Sequence, residues 1–187
     1  SVVTMTGVAD GAWTNSEPTF TWTAGADNPG GVGLLGYCIS LDEANQGAPT
    51  NLNPALTAGK LAGLDDGVTE NYCPFIATGT SLNLDAIAGL NLVSGQQYYF
   101  SIKAVDLAGN IWNGGAGLFQ NLSSFIYDNT APQEPGFISL PGSFVSSKDV
   151  TITWPTVGAN APSDADSGLA GLQYRISPTG TWYGINH

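Results

Sequence analysis

The chain has 187 residues, with 4 Lys or Arg against 15 Asp or Glu, and its formal net charge is −11. So few cations cannot build a phosphate-binding surface, which argues against nucleic acid and anionic membranes as partners. The single histidine is His187, the last residue. This argues against catalytic Ser/His/Asp or Cys/His sets and against a His-rich metal centre.

Short alternating runs rich in Val, Ile, Thr and aromatic residues recur between clusters of Gly, Pro, Asn and Asp, and helical periodicity is nearly absent. The predicted strands are 2–8, 18–24, 35–41, 80–85, 97–106, 121–128, 136–140, 149–154, 171–177 and 181–184. One short helix is predicted to start at Asn53-Pro54, with Asn as its N-cap. This series predicts an all-β fold of tandem antiparallel β-sandwiches.

An internal repeat divides the chain. The segment Thr-Phe-Thr-Trp at 19–22 returns as Thr-Ile-Thr-Trp at 151–154, and the Gly-Leu-x-Gly and Tyr-x-Ile-Ser motifs of 33–40 return within 168–177. Between the copies, the stretch 127–135 contains two prolines that end a strand and stiffen a connection. We therefore place a first unit at 1–130 and a second at 131–187.

Period-two parity assigns the faces of the strand at 97–106. It places Tyr98, Phe100, Ile102 and Ala104 on the core face. The opposite face then carries Tyr99, Ser101, Lys103 and Val105. Leu92 and Gly95 precede Tyr98 at the spacing of a sandwich corner tyrosine.

The run Leu92-x-x-Gly95-x-x-Tyr98-x-Phe100-x-Ile102-x-Ala104-x-Asp106 resembles the sixth strand of fibronectin type III-like repeats in bacterial surface proteins. Trp22 resembles the buried Trp of their second strand, and Gly36-Tyr37-x-Ile39 resembles their third. The second unit resembles related bacterial Ig-like repeats but has no counterpart of 92–110. The resemblance implies that 131–187 is the N-terminal part of a second Ig-like repeat, either a fragment of a longer protein or a repeat completed by another chain.

The first unit is longer than the roughly 90–100 residues of such a module, and the surplus is an inserted region at about 42–79. Cys38 precedes the insertion and faces away from the core by parity, and Cys73 lies inside it. The second unit has Arg175 at the equivalent of Cys38 and no long insertion. This predicts a Cys38–Cys73 disulfide, worth about 3–4 kcal/mol in the chain-entropy model. Two buried free thiols are the alternative.

Acidic and amide residues gather near predicted turns, and calcium prefers such oxygen ligands. In a fibronectin-like topology the loops after the second and sixth strands share one pole. The candidate ligands are Asp27, Asp106 and Asn110 at that pole, and Asp128, Asn129, Asp164 and Asp166 at the junction of the two units. Calcium, preferably at the junction, is the candidate cofactor. The alternative is that these residues start turns and solvate loops.

Two further residues are candidate sites on the surface. Trp112 lies in a predicted loop and is the one tryptophan that we do not assign to the core or a hairpin, so it is a candidate for stacking against a sugar. Asn121 begins an Asn-Leu-Ser pattern for N-glycosylation, which bacterial proteins usually leave unused.

These features predict a non-catalytic structural or adhesive segment of a secreted bacterial protein, at the cell surface or in a fibre. Its expected partners are neighbouring Ig-like repeats of the same or another chain, or a glycan or protein of a host or cell surface. The alternatives are a carbohydrate- or protein-binding module, an accessory domain of a larger secreted enzyme, and a polymerising subunit.

Overall fold

A computed structural model of the chain describes residues 5–43, 51–52, 72–73, 75–87, 90–111, 122–136, 138, 149–176 and 178–186. Backbone contacts divide the chain into two compact units, Ser1–Asn129 and Thr130–His187. The described residues form β-strands, turns and one 3-10 helix, and they contain no α-helix. No helix among them is long and apolar enough to cross a membrane. The predicted all-β class is confirmed.

The first unit holds ten strands within its described residues. They are β1 Met5–Thr6, β2 Ala12–Thr14, β3 Thr19–Trp22, β4 Leu34–Asp42, β5 Asn51–Leu52, β6 Tyr72–Cys73, β7 Phe75–Ala77, β8 Ser81–Asn83, β9 Gln97–Asp106 and β10 Leu122–Tyr127. A 3-10 helix, Leu84–Ala86, follows β8. Its N-cap is Asn83, whose side-chain oxygen accepts a hydrogen bond from the Asp85 N–H.

Two sheets organise this unit. One has three strands in the order β1-β3-β8, and the other has five in the order β2-β10-β9-β4-β7. All pairings in both sheets are antiparallel except that of β2 with β10, which is parallel. Strands β5 and β6 form a separate parallel pair within the predicted insertion.

The hydrophobic core is built from residues of both sheets. Phe20 of β3 stacks on Phe100 of β9 with ring centroids 3.9 Å apart. Trp22 of β3 packs edge-to-face with Tyr37 of β4, and their ring centroids are 5.4 Å apart. The parity-predicted face of β9 is fully in this core, with Tyr98, Phe100, Ile102 and Ala104 all buried. Burial of each large side chain contributes about 1.5–3 kcal/mol, so the contact between the sheets dominates the stability of the unit.

A tyrosine closes the turn into β9. The Tyr98 hydroxyl oxygen accepts a hydrogen bond of 2.8 Å from the Val93 N–H. Gly95 has a φ of 82°, which favours glycine, and its N–H donates to the Tyr127 carbonyl at 2.8 Å. The spacing of Leu92, Gly95 and Tyr98 therefore marks a corner that fixes where β9 begins.

The face of β4 and β9 away from this core is partly buried as well, since Ser101 and Val105 of β9 are buried there. Cys38 lies there, as parity predicts, but it is only 1% exposed and packs with Val105 and Ile111 in a second cluster. The buried hydroxyls of Ser40 and Ser101 hydrogen-bond to each other. Lys103 is half-buried, and desolvation lowers its pKa below the ordinary value. Alternation along a strand predicts on which face a side chain lies, but only the tertiary fold decides whether that face is exposed to solvent.

Several predicted elements differ from the structure. Strands β2 and β7 lie in segments with no predicted strand, because three residues are too short to show a period. The predicted strand 149–154 forms no strand, only a single bridge residue at Thr153. An alternating segment becomes a strand only when a neighbour takes its backbone hydrogen bonds. The predicted helix at Asn53-Pro54 and most of 136–140 lie outside the described residues.

The second unit has one antiparallel hairpin in its described part, formed by β11 Gly171–Tyr174 and β12 Tyr183–Asn186. Tyr174 and Tyr183 face each other across it with ring centroids 5.5 Å apart. Every described side chain of this unit with an assigned burial is at least partly exposed. An isolated two-stranded hairpin is only marginally stable in water.

Asp10 offers a test of the parallel pairing of β2 with β10. Its carboxylate accepts hydrogen bonds from the Ser124 N–H (2.8 Å) and hydroxyl (2.7 Å), and these lower the pKa of Asp10 from 3.8. The stabilisation is therefore present above pH 3.8 and is lost as the pH falls through the lower folded pKa. We expect Asp10→Ala to lower the free energy of unfolding by about 1 kcal/mol at pH 7.

Urea denaturation at pH 7 and at pH 2 measures this effect. The difference between Asp10→Ala and the unaltered chain should shrink at pH 2. Glu134→Ala, which removes an exposed carboxylate in the other unit, is the control and should have little effect. Equal stability of Asp10→Ala and the unaltered chain at pH 7 would contradict the assignment.

Candidate functional site

A cleft of about 340 Å³ opens at one pole of the first unit, between the loop after β3 and the loop after β9. Its lining combines apolar side chains, such as Leu34, Val105 and Ile111, with oxygen-bearing ones. The oxygen-bearing residues include Asp27, Asp106 and Asn110, three of the seven predicted calcium ligands. The shared pole expected from the topology is therefore present.

Asp106 closes the loop after β9. Its Oδ1 accepts hydrogen bonds from the N–H groups of Ala108 (2.9 Å) and Asn110 (2.8 Å), and its Oδ2 accepts one from the Asn110 side chain (2.8 Å). These bonds, with the Asn110 side chain as the largest cause, lower the pKa of Asp106. A general acid needs a raised pKa, so this carboxylate is unsuited to that role. Its hydrogen bonds instead stabilise the turn, and such a carboxylate, which accepts backbone N–H groups of its own loop, is called a carboxylate brace below.

Asp27 braces the loop after β3 in the same way. Its Oδ1 accepts the Asn28 N–H at 2.7 Å, and its Oδ2 accepts the Gly33 N–H at 2.8 Å. The Gly33 carbonyl in turn accepts the Leu107 N–H at 2.9 Å, which ties the two loops of the pole together. Gly33 has a φ of 101°, so a side chain there would be strained.

The second unit repeats this carboxylate brace. Asp164 Oδ1 accepts N–H groups from Asp166 (3.0 Å), Ser167 (2.9 Å) and Gly168 (3.1 Å). Gly168 is the repeat equivalent of Gly33 and also has a positive φ, of 78°. Sequence reasoning missed this shared role. The available signal was an Asp a few residues before the first glycine of the repeated Gly-Leu-x-Gly motif.

Asp128 and Asn129 lie at the other pole of the first unit. They follow β10, which runs antiparallel to β9, so they are far from Asp106. Asp128 is buried and accepts a hydrogen bond from the Ser94 hydroxyl at 3.0 Å, and that hydroxyl accepts the Asn129 N–H at 3.2 Å. They fasten the end of β10 to the corner that precedes β9.

The predicted calcium site at the junction of the two units stays a prediction. Over the described ranges, no group of three or more His, Cys, Asp or Glu residues is placed to hold a metal ion. Four of the predicted carboxylate ligands already accept hydrogen bonds from neighbouring groups: Asp27, Asp106, Asp128 and Asp164. Such bonds favour the turn-forming alternative for these residues.

The surface candidates fall largely outside the described residues. Trp112 and Asn121 do so entirely, and so does the side chain of Cys73. The expectation that only Trp112 is free to be exposed is wrong, because Trp13, matched to a core position, is 44% exposed and Trp182 of the hairpin is 53% exposed. Trp13 lies on the edge strand β2, and Trp182 belongs to a hairpin with no buried side chain around it.

Removal of the Asp106 brace should loosen its loop. We expect Asp106→Ala to speed hydrogen exchange of the Ala108 and Asn110 amides by about tenfold or more, because both lose their acceptor. The measurement is exchange followed by NMR at pH 7. Asp85→Ala, at the 3-10 helix, is the matched control and should leave these two amides unchanged. Unaltered exchange in Asp106→Ala would refute the brace.

Searches for similar proteins found no relatives that bear on the site. No protein-family model matches the chain, and neither a curated protein nor a solved structure does. The role of the chain therefore has to be argued from its own geometry.

Proposed function

We propose that the chain is a non-catalytic structural or adhesive segment of a secreted bacterial surface or fibre-forming protein. In this proposal the first unit is an Ig-like or fibronectin III-like β-sandwich, and the second unit is part of a related repeat. Its work is mechanical: it spaces, stiffens and presents what is attached to it.

The division of strands between the sheets supports the sandwich assignment. An immunoglobulin-type sandwich places its first, second and fifth strands in one sheet and its third, sixth and seventh in the other. Strands β1, β3 and β8 fit the first set, and β4, β9 and β10 fit the second. Tyr98 supports it too, because its hydroxyl bonds back to the backbone at the corner before β9.

The main support for the mechanical role is that acidic side chains stabilise the backbone through hydrogen bonds. Four aspartates accept hydrogen bonds from backbone N–H groups of turns or neighbouring strands: Asp10, Asp27, Asp106 and Asp164. A carboxylate held in this way fixes the backbone of its turn or strand. Acidic loops also keep neighbouring stalks apart and soluble.

The cysteine pair supports the extracellular setting, because structural disulfides persist in oxidising compartments. Cys38 is buried on β4, and its neighbour across the sheet is Ile76 of β7. Cys73 ends β6, two residues before β7 begins. The described part of the chain contains no free cysteine. These placements favour the proposed Cys38–Cys73 disulfide.

Single-molecule stretching tests the mechanical proposal. The whole chain is pulled between marker domains, with and without a reductant. The proposed disulfide withholds about 35 residues of about 3.5 Å each, so reduction should lengthen the unfolded first unit by about 120 Å. We also expect a distinct unfolding force peak for the first unit, because its two sheets share one core.

The controls separate the disulfide from the mechanical role. Alkylation of the denatured chain should add no mass before reduction and two labels after it. Cys38→Ser/Cys73→Ser should show the longer length without reductant. Two labels before reduction would refute the disulfide alone. Absence of a resolved force peak in the unreduced chain would refute the mechanical role.

A further inference from the structure

Two equivalent positions of the internal repeat are buried in the first unit and exposed in the second. Tyr37 and Ile39 of β4 are 1% and 0% exposed. Their repeat equivalents, Tyr174 and Ile176, are 41% and 87% exposed. Because the residue types match, the difference comes from what lies beside the strand.

In the first unit β4 has a neighbour on each edge. It pairs with β7 on one edge, where Tyr37 opposes Ala77, and with β9 on the other, where Tyr37 opposes Ala104 and Ile39 opposes Ile102. Strand β9 alternates apolar and polar residues, so its apolar face continues that of β4 into the core.

In the second unit β11 has only one neighbour among the described residues. That neighbour is β12, which follows β11 along the chain as β7 follows β4 and places Tyr183 opposite Tyr174. The other edge of β11 is paired with no strand in the described part of the chain, and it lies next to exposed aromatic and aliphatic side chains. Such an edge is a template for an added strand.

We propose that this edge of β11 binds an extended segment of another polypeptide, in the position that β9 occupies in the first unit. The bound strand is antiparallel to β11 and alternates apolar and polar residues in the manner of 98–104. Its apolar residues cover Tyr174 and Ile176. The inference does not depend on the mechanical role proposed above.

Charge specifies one further feature of the partner. In the first unit Cys38 lies opposite Lys103, and Arg175 stands at the repeat equivalent of Cys38. The Arg175 guanidinium lies 4.6 Å from the centre of the Trp182 ring, so it is held on the hairpin. A lysine opposite Arg175 would be repelled, and an acidic residue would be attracted. The partner strand therefore carries Asp or Glu at that position.

A second copy of this chain does not meet this description. Its own β9 is already paired with β10 on one edge and with β4 on the other. Lys103 of that strand also has the wrong charge to oppose Arg175. The β9 strand of a second copy is therefore unsuitable as the donor.

A synthetic peptide tests the proposal on the whole chain. It has the sequence of 97–106 with Lys103→Glu, and binding is measured by calorimetry and by hydrogen exchange of the amides in 171–174. We expect saturable binding and at least tenfold slower exchange of those amides that face the free edge. The peptide with the native lysine should bind several-fold more weakly. A peptide of equal composition, with neighbouring residues exchanged so that the faces are inverted, should not bind.

Substitutions in the chain locate the site. Ile176→Asp should abolish binding, and it should not disturb folding because the side chain is 87% exposed. Val157→Asp is the matched control, since Val157 is 82% exposed but lies outside the hairpin. No binding of the acidic peptide would overturn the proposal, as would binding that survives Ile176→Asp. Dimerisation without peptide that protects 171–174 would place a second copy on this edge and would also overturn it.

Discussion

The first unit depends on the pairing of β4 with β9. This ladder extends from Leu34 opposite Asp106 to Asp42 opposite Tyr99, and it joins segments about 60 residues apart in the chain. One face of the pair supplies the core against β3, and the other supplies the buried cluster around Cys38. A strand pair with buried side chains on both faces resists a slip in register, because a shift of one residue would move every side chain to the opposite face.

The same pairing sets the positions of the loops. It brings the end of β9 beside the start of β4, so that the loops carrying Asp27 and Asp106 meet and are joined through the Gly33 carbonyl. A carboxylate that accepts several backbone N–H groups stabilises a turn that glycine-rich sequence would otherwise leave loose. The strongly negative charge of the chain thus has a structural use within its loops, beside its effect on solubility.

The second unit contains the Tyr-x-Ile motif of β4, but its described part has no strand in the position of β9. It also has the carboxylate brace at Asp164 and a hairpin partner, yet Tyr174, Trp182 and Tyr183 stay exposed. Local signals are sufficient for the turn and the hairpin, because their partners lie within about 15 residues along the chain. They cannot bury the face of β11, because burial needs a second layer of side chains.

The sequence by itself determined the all-β class, the bounds of β9, its core face and the corner at Tyr98. These features depend on period-two alternation and on glycine and tyrosine at fixed offsets, which are local. The tertiary structure alone decided that the opposite face of β9 is partly buried, that the short strands β2 and β7 form, and that 149–154 does not become a strand. Each of these outcomes depends on whether a distant segment supplies hydrogen bonds or covers a surface, and local alternation carries no information about such a neighbour.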